Sequence, residues 1–192
     1  MPLPYPEPRE ELHLRRIEVR GYRRGDGLYE VEGRIVDTKS NAFALAGGVK
    51  DLPPGKALHE MTVRITLDEN LTVQDAIAAT DASPHHTCPE AAPSVERLKG
   101  LSVGAGWNRA IRERLGGAAG CQHINELLAQ MATTAFQTLS PLRSALPTKL
   151  DANGRPLKID SCYAYGSERE LVLTRWPDHY TGPPASPGRR AG

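Results

Sequence analysis

The first part of the chain alternates between apolar and polar positions, which predicts β-strands. Ile17 and Val19 alternate with charged residues, and the alternation resumes over residues 29–35. A period of two places successive side chains on opposite faces of a strand. Between the two runs lies Gly25-Asp26-Gly27, whose glycines accept the backbone angles of a tight turn. These runs predict a β-hairpin with one face exposed to water.

A second hairpin is predicted further along the chain. Residues 61–67 alternate in the same way, residues 68–70 are turn-forming, and Leu71 to Ile77 continue as a return strand. The segment from Asp37 to Ala57, rich in glycine, proline and alanine, is predicted to be a surface loop. Two hairpins together predict an antiparallel sheet of about four strands.

The period then changes to that of helices. Helices are predicted near residues 87–100, with Thr87 as the N-cap, and at residues 107–115 and 121–139. The third helix is the longest, and its apolar residues fall near the i, i+3, i+4, i+7 spacing of a core-facing stripe. These residues are Ile124, Leu127, Leu128, Met131, Ala135, Phe136 and Leu139.

Strands come first and helices follow, which predicts an α+β fold with three helices packed on one face of the antiparallel sheet. Residues 1–11 hold four prolines and are expected to form an extended arm. Residues 12–176 are expected to form a single domain that ends with a short pair of elements. Residues 177–192 are rich in proline, glycine and arginine and are predicted to be a disordered tail.

The charges are nearly balanced, with 24 Lys and Arg against 23 Asp and Glu. A nearly neutral chain disfavours binding to nucleic acid or to a membrane surface. The N-terminus lacks the features of a secretion signal, and no apolar run approaches the length of a membrane span, so a cytoplasmic location is expected. An odd number of cysteines, three, indicates free thiols.

Four residues at the ends of predicted elements could bind a metal ion. They are His59, Cys88, Cys121 and His123. Side chains at element ends can converge from distant parts of the sequence, and thiolate with imidazole suits zinc or iron. The alternative is that the cysteines are small buried residues and the histidines lie on the surface.

A nucleophilic cysteine is a second interpretation of the same stretch. Cys121, His123 and Glu126 could be a thiol, a base and an orienting carboxylate, although residues two apart in a helix point in different directions. Cys162 is another candidate nucleophile, although the sequence favours the alternative that it packs under the last element. Arg109 or Arg112 could hold the carboxylate of a small anionic ligand.

Motifs spread over residues 8–180 resemble a bacterial family known as domain of unknown function 2889. The resemblance implies membership of that family but no activity. The motifs are His13-x-Arg15-Arg16, Gly21-Tyr22-Arg23, Asp26-Gly27-Leu28, Gly33, Asp37-Thr38-Lys39, His59-Glu60-Met61, Gly120-Cys121-x-His123, Thr133-Thr134-Ala135-Phe136-Gln137 and Asp160-Ser161-Cys162.

More remotely, residues 59–139 resemble the U-type iron-sulfur cluster assembly scaffold. The resemblance implies metal or cluster ligands at His59 or Glu60, at Cys88, and at Cys121 or His123. The scaffold's first cysteine has no counterpart near His59, and its His-Cys order is reversed at Cys121 and His123. These departures weaken cluster assembly more than they weaken a site for a single metal ion.

Three hypotheses follow. The leading one is a metal-binding domain for zinc or iron, similar to the cluster scaffold, with His59, Cys88, Cys121 and His123 as ligands. The second is an enzyme that uses the metal or the Cys121 thiol on a small organic acid or thioester. The third is an interaction module with buried cysteines.

Overall fold

In a computed structural model, which describes residues 2–44 and 51–183, a four-stranded antiparallel sheet forms one layer of the protein. The strands are β1 (His13–Arg23), β2 (Tyr29–Lys39), β3 (Ala57–Leu67) and β4 (Val73–Ala82). Each strand pairs with its neighbour in sequence, in the order β1-β2-β3-β4. The predicted sheet of two hairpins and the α+β class are therefore confirmed.

The strands differ from the predicted ones mainly at their ends. β2 continues to Lys39, so Asp37 belongs to a strand and not to the predicted loop. The return strand begins at Val73, because Leu71 has a φ of 63° and lies in the turn. In that turn the Asp68 carboxylate accepts hydrogen bonds from the backbone N–H groups of Asn70 and Thr72, both at 2.9 Å.

Three helical segments share one hydrophobic core with the sheet. They are the 3₁₀ helix Cys88–Leu98, α1 (Trp107–Leu115) and α2 (Gln122–Thr138). The first was predicted as a helix, and it takes the 3₁₀ form in a segment where Pro89 and Pro93 lack the N–H donors of an α-helix. Thr87 stands at its N-cap position but makes no side-chain capping bond.

The helix α2 packs across β1, β2 and β3. Gly33 of β2 permits this close approach, because a Cβ at that position would lie 2.9 Å from Leu127 Cδ1 and from Met131 Sδ. The predicted core stripe of α2 is buried except at Phe136, which is 37% exposed and lies beneath the Arg143 guanidinium.

The chain divides into two compact units, residues 1–143 and 144–192. The first unit holds the sheet, α1 and α2, and the short helix α3 (Ser140–Ser144) begins at its end. The second unit holds α4 (Glu170–Arg175). Short 3₁₀ helices occur at Gly117–Ala119, Tyr163–Tyr165 and Pro177–His179. The single domain over 12–176 stays a prediction, and residues 184–192 of the predicted tail lie outside the described residues.

Residues 2–11, the described part of the predicted arm, contain no helix or strand and are exposed. Within residues 2–44 and 51–183, no helix has both the length and the apolar character needed to cross a membrane.

Candidate metal centre

The strand register places three ionisable side chains in one row across the sheet. Arg15 of β1 lies opposite Asp37 of β2, and Asp37 lies opposite His59 of β3. Asp37 continues the alternation of the buried residues Val31 and Ile35, so its side chain faces the helices. Asp37 is only 1% exposed and is the centre of the candidate site.

Both oxygens of the buried Asp37 carboxylate are paired. Arg15 donates from Nε to Oδ1 at 2.7 Å and from Nη2 to Oδ2 at 2.8 Å. His59 Nδ1 lies 3.1 Å from Oδ2, and His13 Nε2 lies 3.3 Å from Oδ1. A buried carboxylate is costly without such partners, and the two-pronged contact with a guanidinium is the strongest of them.

The first turns of α2 complete the site from above the sheet. His123 stacks on His59 with ring centroids 3.8 Å apart, and its Nε2 lies 3.7 Å from Asp37 Oδ2. Glu126 stands three residues further along, on the same side of the helix. Its Oε2 accepts a hydrogen bond from Arg15 Nη1 at 2.6 Å, so Arg15 bridges two carboxylates.

The surroundings shift the pKa values of Asp37, His59 and His123. Burial raises the pKa of Asp37, but the hydrogen bonds and charge of Arg15 outweigh it, so the net pKa lies below the usual range. Burial, and then the charge of neighbouring His123, lower the pKa of His59 despite Asp37. Burial, followed by the Arg15 charge, lowers the pKa of His123. Both imidazoles are therefore mainly neutral at pH 7, as metal ligation requires.

The geometry brings three ligand atoms together. One atom each from Asp37, His59 and His123 lies within 4.8 Å of the others. Among the described residues, this is the only group of three or more possible metal ligands that lie so close together. The carboxylates of Asp37 and Glu126 outnumber the single Arg15 guanidinium. With His59 and His123 neutral, the sum over Asp37, Glu126 and Arg15 is one formal negative charge, which favours a cation at the site.

The structure joins two of the four residues predicted as metal ligands. His59 and His123 meet, whereas Cys121 lies beside them, with its Sγ 4.0 Å from His123 Nδ1. Cys88 begins the 3₁₀ helix, and neither Cys88 nor Cys121 belongs to the group of ligand atoms found in the described residues. Cys162, the other candidate thiol, is exposed in the second unit.

Comparison with known proteins identifies one family. The family described as "Protein of unknown function (DUF2889)" matches residues 13–137, which include the whole candidate site. No curated protein and no solved structure matches the chain. The resemblance to the iron-sulfur cluster scaffold therefore stays a prediction.

Proposed function

The chain belongs to the DUF2889 family, and we propose that it binds one divalent metal ion, zinc or iron, through Asp37, His59 and His123. All three residues lie in the region that matches the family, residues 13–137. The observation that carries this proposal is the convergence of their ligand atoms within 4.8 Å around a buried carboxylate. Two imidazoles with one carboxylate are a common ligand set for catalytic zinc and for non-haem iron.

The distances between the ligand atoms support a single ion. Zinc bonds of 2.0–2.1 Å in a tetrahedral arrangement separate neighbouring ligand atoms by about 3.3 Å. Asp37 Oδ2 lies 3.1 Å from His59 Nδ1 and 3.7 Å from His123 Nε2. Both distances are within a few tenths of an ångström of that value, and all three ligand atoms lie within 4.8 Å of one another. An ion between them would take the place of the contact between His59 and Asp37.

Arg15 does not need to leave for the ion to bind. Each carboxylate oxygen can accept two bonds, and Arg15 uses one position on each oxygen of Asp37. The second position on Oδ2 is the one that faces His59 and would serve the metal. Arg15 would then hold Asp37 in place, as hydrogen-bond partners of ligating carboxylates commonly do.

The same ligand set supports a mononuclear ion better than an iron-sulfur cluster. Clusters are held mainly by thiolates, and the ligand group has none. Binding through His123 Nε2 leaves its Nδ1, 4.0 Å from Cys121 Sγ, to carry the proton. Cys121 would therefore support His123 from outside the coordination sphere and would not bind the ion itself.

Metal analysis of protein purified without chelator, and again after loading with Zn²⁺ or anaerobic Fe²⁺, tests the proposal. We expect one bound ion per chain, and we expect Asp37→Asn, His59→Gln and His123→Gln to reduce the bound metal at least about tenfold. Cys88→Ser and His86→Gln are matched controls and should keep the ion. Circular dichroism identifies any variant that fails to fold.

Two results would contradict the assignment. One is the absence of stoichiometric metal in the folded wild-type protein after loading. The other is retention of the ion by all three ligand variants. Loading with Co²⁺ adds a further check, because a thiolate-to-cobalt charge-transfer band would show that a cysteine is a ligand after all.

A second candidate function is a thiol-dependent enzyme acting on a thioester. The observation that favours it is the line of groups from Cys121 Sγ through His123, 4.0 Å away, to Asp37, 3.7 Å from the other ring nitrogen. This is the order of nucleophile, base and orienting carboxylate.

In that reaction His123 would take the Cys121 proton, and the thiolate would add to the thioester carbonyl carbon. The bond to the leaving sulfur would break, and this sulfur would take the proton from His123. Water would then release the acyl group as an acid and restore the thiol. Turnover of a simple thioester that disappears in Cys121→Ser, while metal content is unchanged, would support this function; equal turnover by the variant would exclude it.

A further inference from the structure

A groove of about 540 Å³ lies between α1 and α2, one side chain away from the candidate metal centre. Asn108 and Arg112 face it from α1, four residues apart and so on one side of that helix. Gln122 and Glu126 face it from α2 with the same spacing. The volume falls in the usual range for small-molecule sites.

Glu126 joins the groove to the metal centre. It accepts a hydrogen bond from Gln122 Nε2 at 3.1 Å within the groove, and another from Arg15 on the other side. Arg15 donates to the Glu126 oxygen that Gln122 does not use, so its positive charge, which it shares with Asp37, partly offsets this carboxylate.

Arg112 supplies the positive charge in the lining of the groove. In the described part of the chain it forms no ion pair and no side-chain hydrogen bond, unlike Arg109 on the same helix, which pairs with Glu113. Arg112 is exposed, and Asn108 and Gln122, which carry side-chain amides, line the same groove. A guanidinium beside amide donors suits a carboxylate, which can take two parallel hydrogen bonds. Ile111 and Ala129 add apolar surface beside this polar end.

We propose that this groove binds a small carboxylic acid, whose carboxylate contacts Arg112 and whose apolar part lies along α1 and α2. The groove site is independent of metal binding at Asp37. Its position next to Glu126 would bring such a ligand close to the metal centre.

Benzoate and its neutral counterpart benzamide test the inference, with the wild-type protein in chelator so that no metal can bind the carboxylate. We expect saturable NMR shift changes from benzoate in residues of α1 and α2, and much weaker changes from benzamide. Arg112→Gln should weaken benzoate binding about tenfold or more, since it removes a charge-assisted contact. Arg109→Gln is the matched control on the same helix and should bind benzoate as the wild type does.

Asp37→Asn separates this inference from the metal proposal, because it should lose the ion and keep benzoate binding. Benzoate binding that survives in Arg112→Gln but disappears in Asp37→Asn would place the anion at the metal centre and overturn the groove site. Equal binding of benzoate and benzamide, equal losses in the two arginine variants, or no saturable binding would also overturn it.

Discussion

At the scale of single residues, the site depends on keeping one carboxylate ionised inside the core. Asp37 is 1% exposed, and Arg15 supplies both of its strongest hydrogen bonds. Removing one partner of a buried ion pair leaves the other as an uncompensated charge, which costs more than the pair itself contributes. The Arg15 side chain is 35% exposed, and solvent screening therefore reduces this cost.

We expect Arg15→Gln to lower the free energy of unfolding by about 2 kcal/mol in urea titrations, because Asp37 loses its counter-charge. Arg20→Gln is the control on the same strand. Arg20 pairs with exposed Glu18, and its replacement should cost less than about 0.5 kcal/mol. Equal stability of the two variants would mean that the histidines alone can compensate Asp37.

At the scale of elements, the strands were largely predictable and their ends were not. The alternation through Ile17 and through the run at 29–35 correctly predicted the first hairpin. Extending the same alternation by one step reaches Arg15, Asp37 and His59 on the inner face. In a sequence, charged residues at strand ends are easily taken for loop residues. The alternation with a period of two was the signal that could have placed Asp37 in β2 with its side chain on the inner face.

The position of α2 was less predictable, because no local pattern reveals which helix residue lies above which strand residue. His123 was predicted as a ligand from its place at a helix start, and it does lie beside His59. Cys121 is the last residue before α2 and lies on the far side of the His123 ring from Asp37. Cys121 and His123 are only two positions apart, yet the His123 imidazole belongs to the group of ligand atoms and the Cys121 thiol does not.

Gly33 sets the distance between α2 and the sheet, and Gly33→Ala should alter both stability and the site. The added Cβ would press on the flexible ends of Leu127 and Met131, which can yield in part. We expect a loss of about 1–2 kcal/mol in unfolding free energy, together with weaker Zn²⁺ binding in calorimetry as His123 moves from Asp37.

Gly25→Ala is the control for this substitution, because a Cβ there would meet nothing within 4 Å. Unchanged zinc affinity in a destabilised Gly33→Ala protein would show that the distance between α2 and the sheet does not determine the position of His123.

The contact between α1 and α2 rests partly on one buried hydrogen bond. Trp107 Nε1 donates to the Leu128 carbonyl oxygen at 3.0 Å, and Trp107 is 3% exposed. Trp107→Phe removes this bond and leaves a small void, so unfolding free energy should fall by about 1–2 kcal/mol. Trp176→Phe in the second unit serves as the control for loss of an indole. Equal stability losses from the two substitutions in chemical denaturation would contradict this role for the Trp107 hydrogen bond.

At the scale of the whole molecule, the first unit contains everything that the proposed functions use. The family match covers residues 13–137, and the hydrophobic core that joins sheet and helices draws its residues from the same unit. The groove between α1 and α2 also lies there. The second unit holds the exposed Cys162, which is not in the group of ligand atoms found among the described residues.

We therefore predict that a fragment ending at Arg143 folds and keeps the metal site. Its core residues, including Val63, Leu98 and Leu128, all lie within the fragment, so burial of apolar surface should still exceed the conformational entropy cost of folding. The fragment should unfold cooperatively in urea and bind the same amount of Zn²⁺ as the full chain. Asp37→Asn within the fragment is the control for metal binding. A fragment without cooperative unfolding, when the full chain shows it, would mean that residues 144–192 are needed to complete the fold.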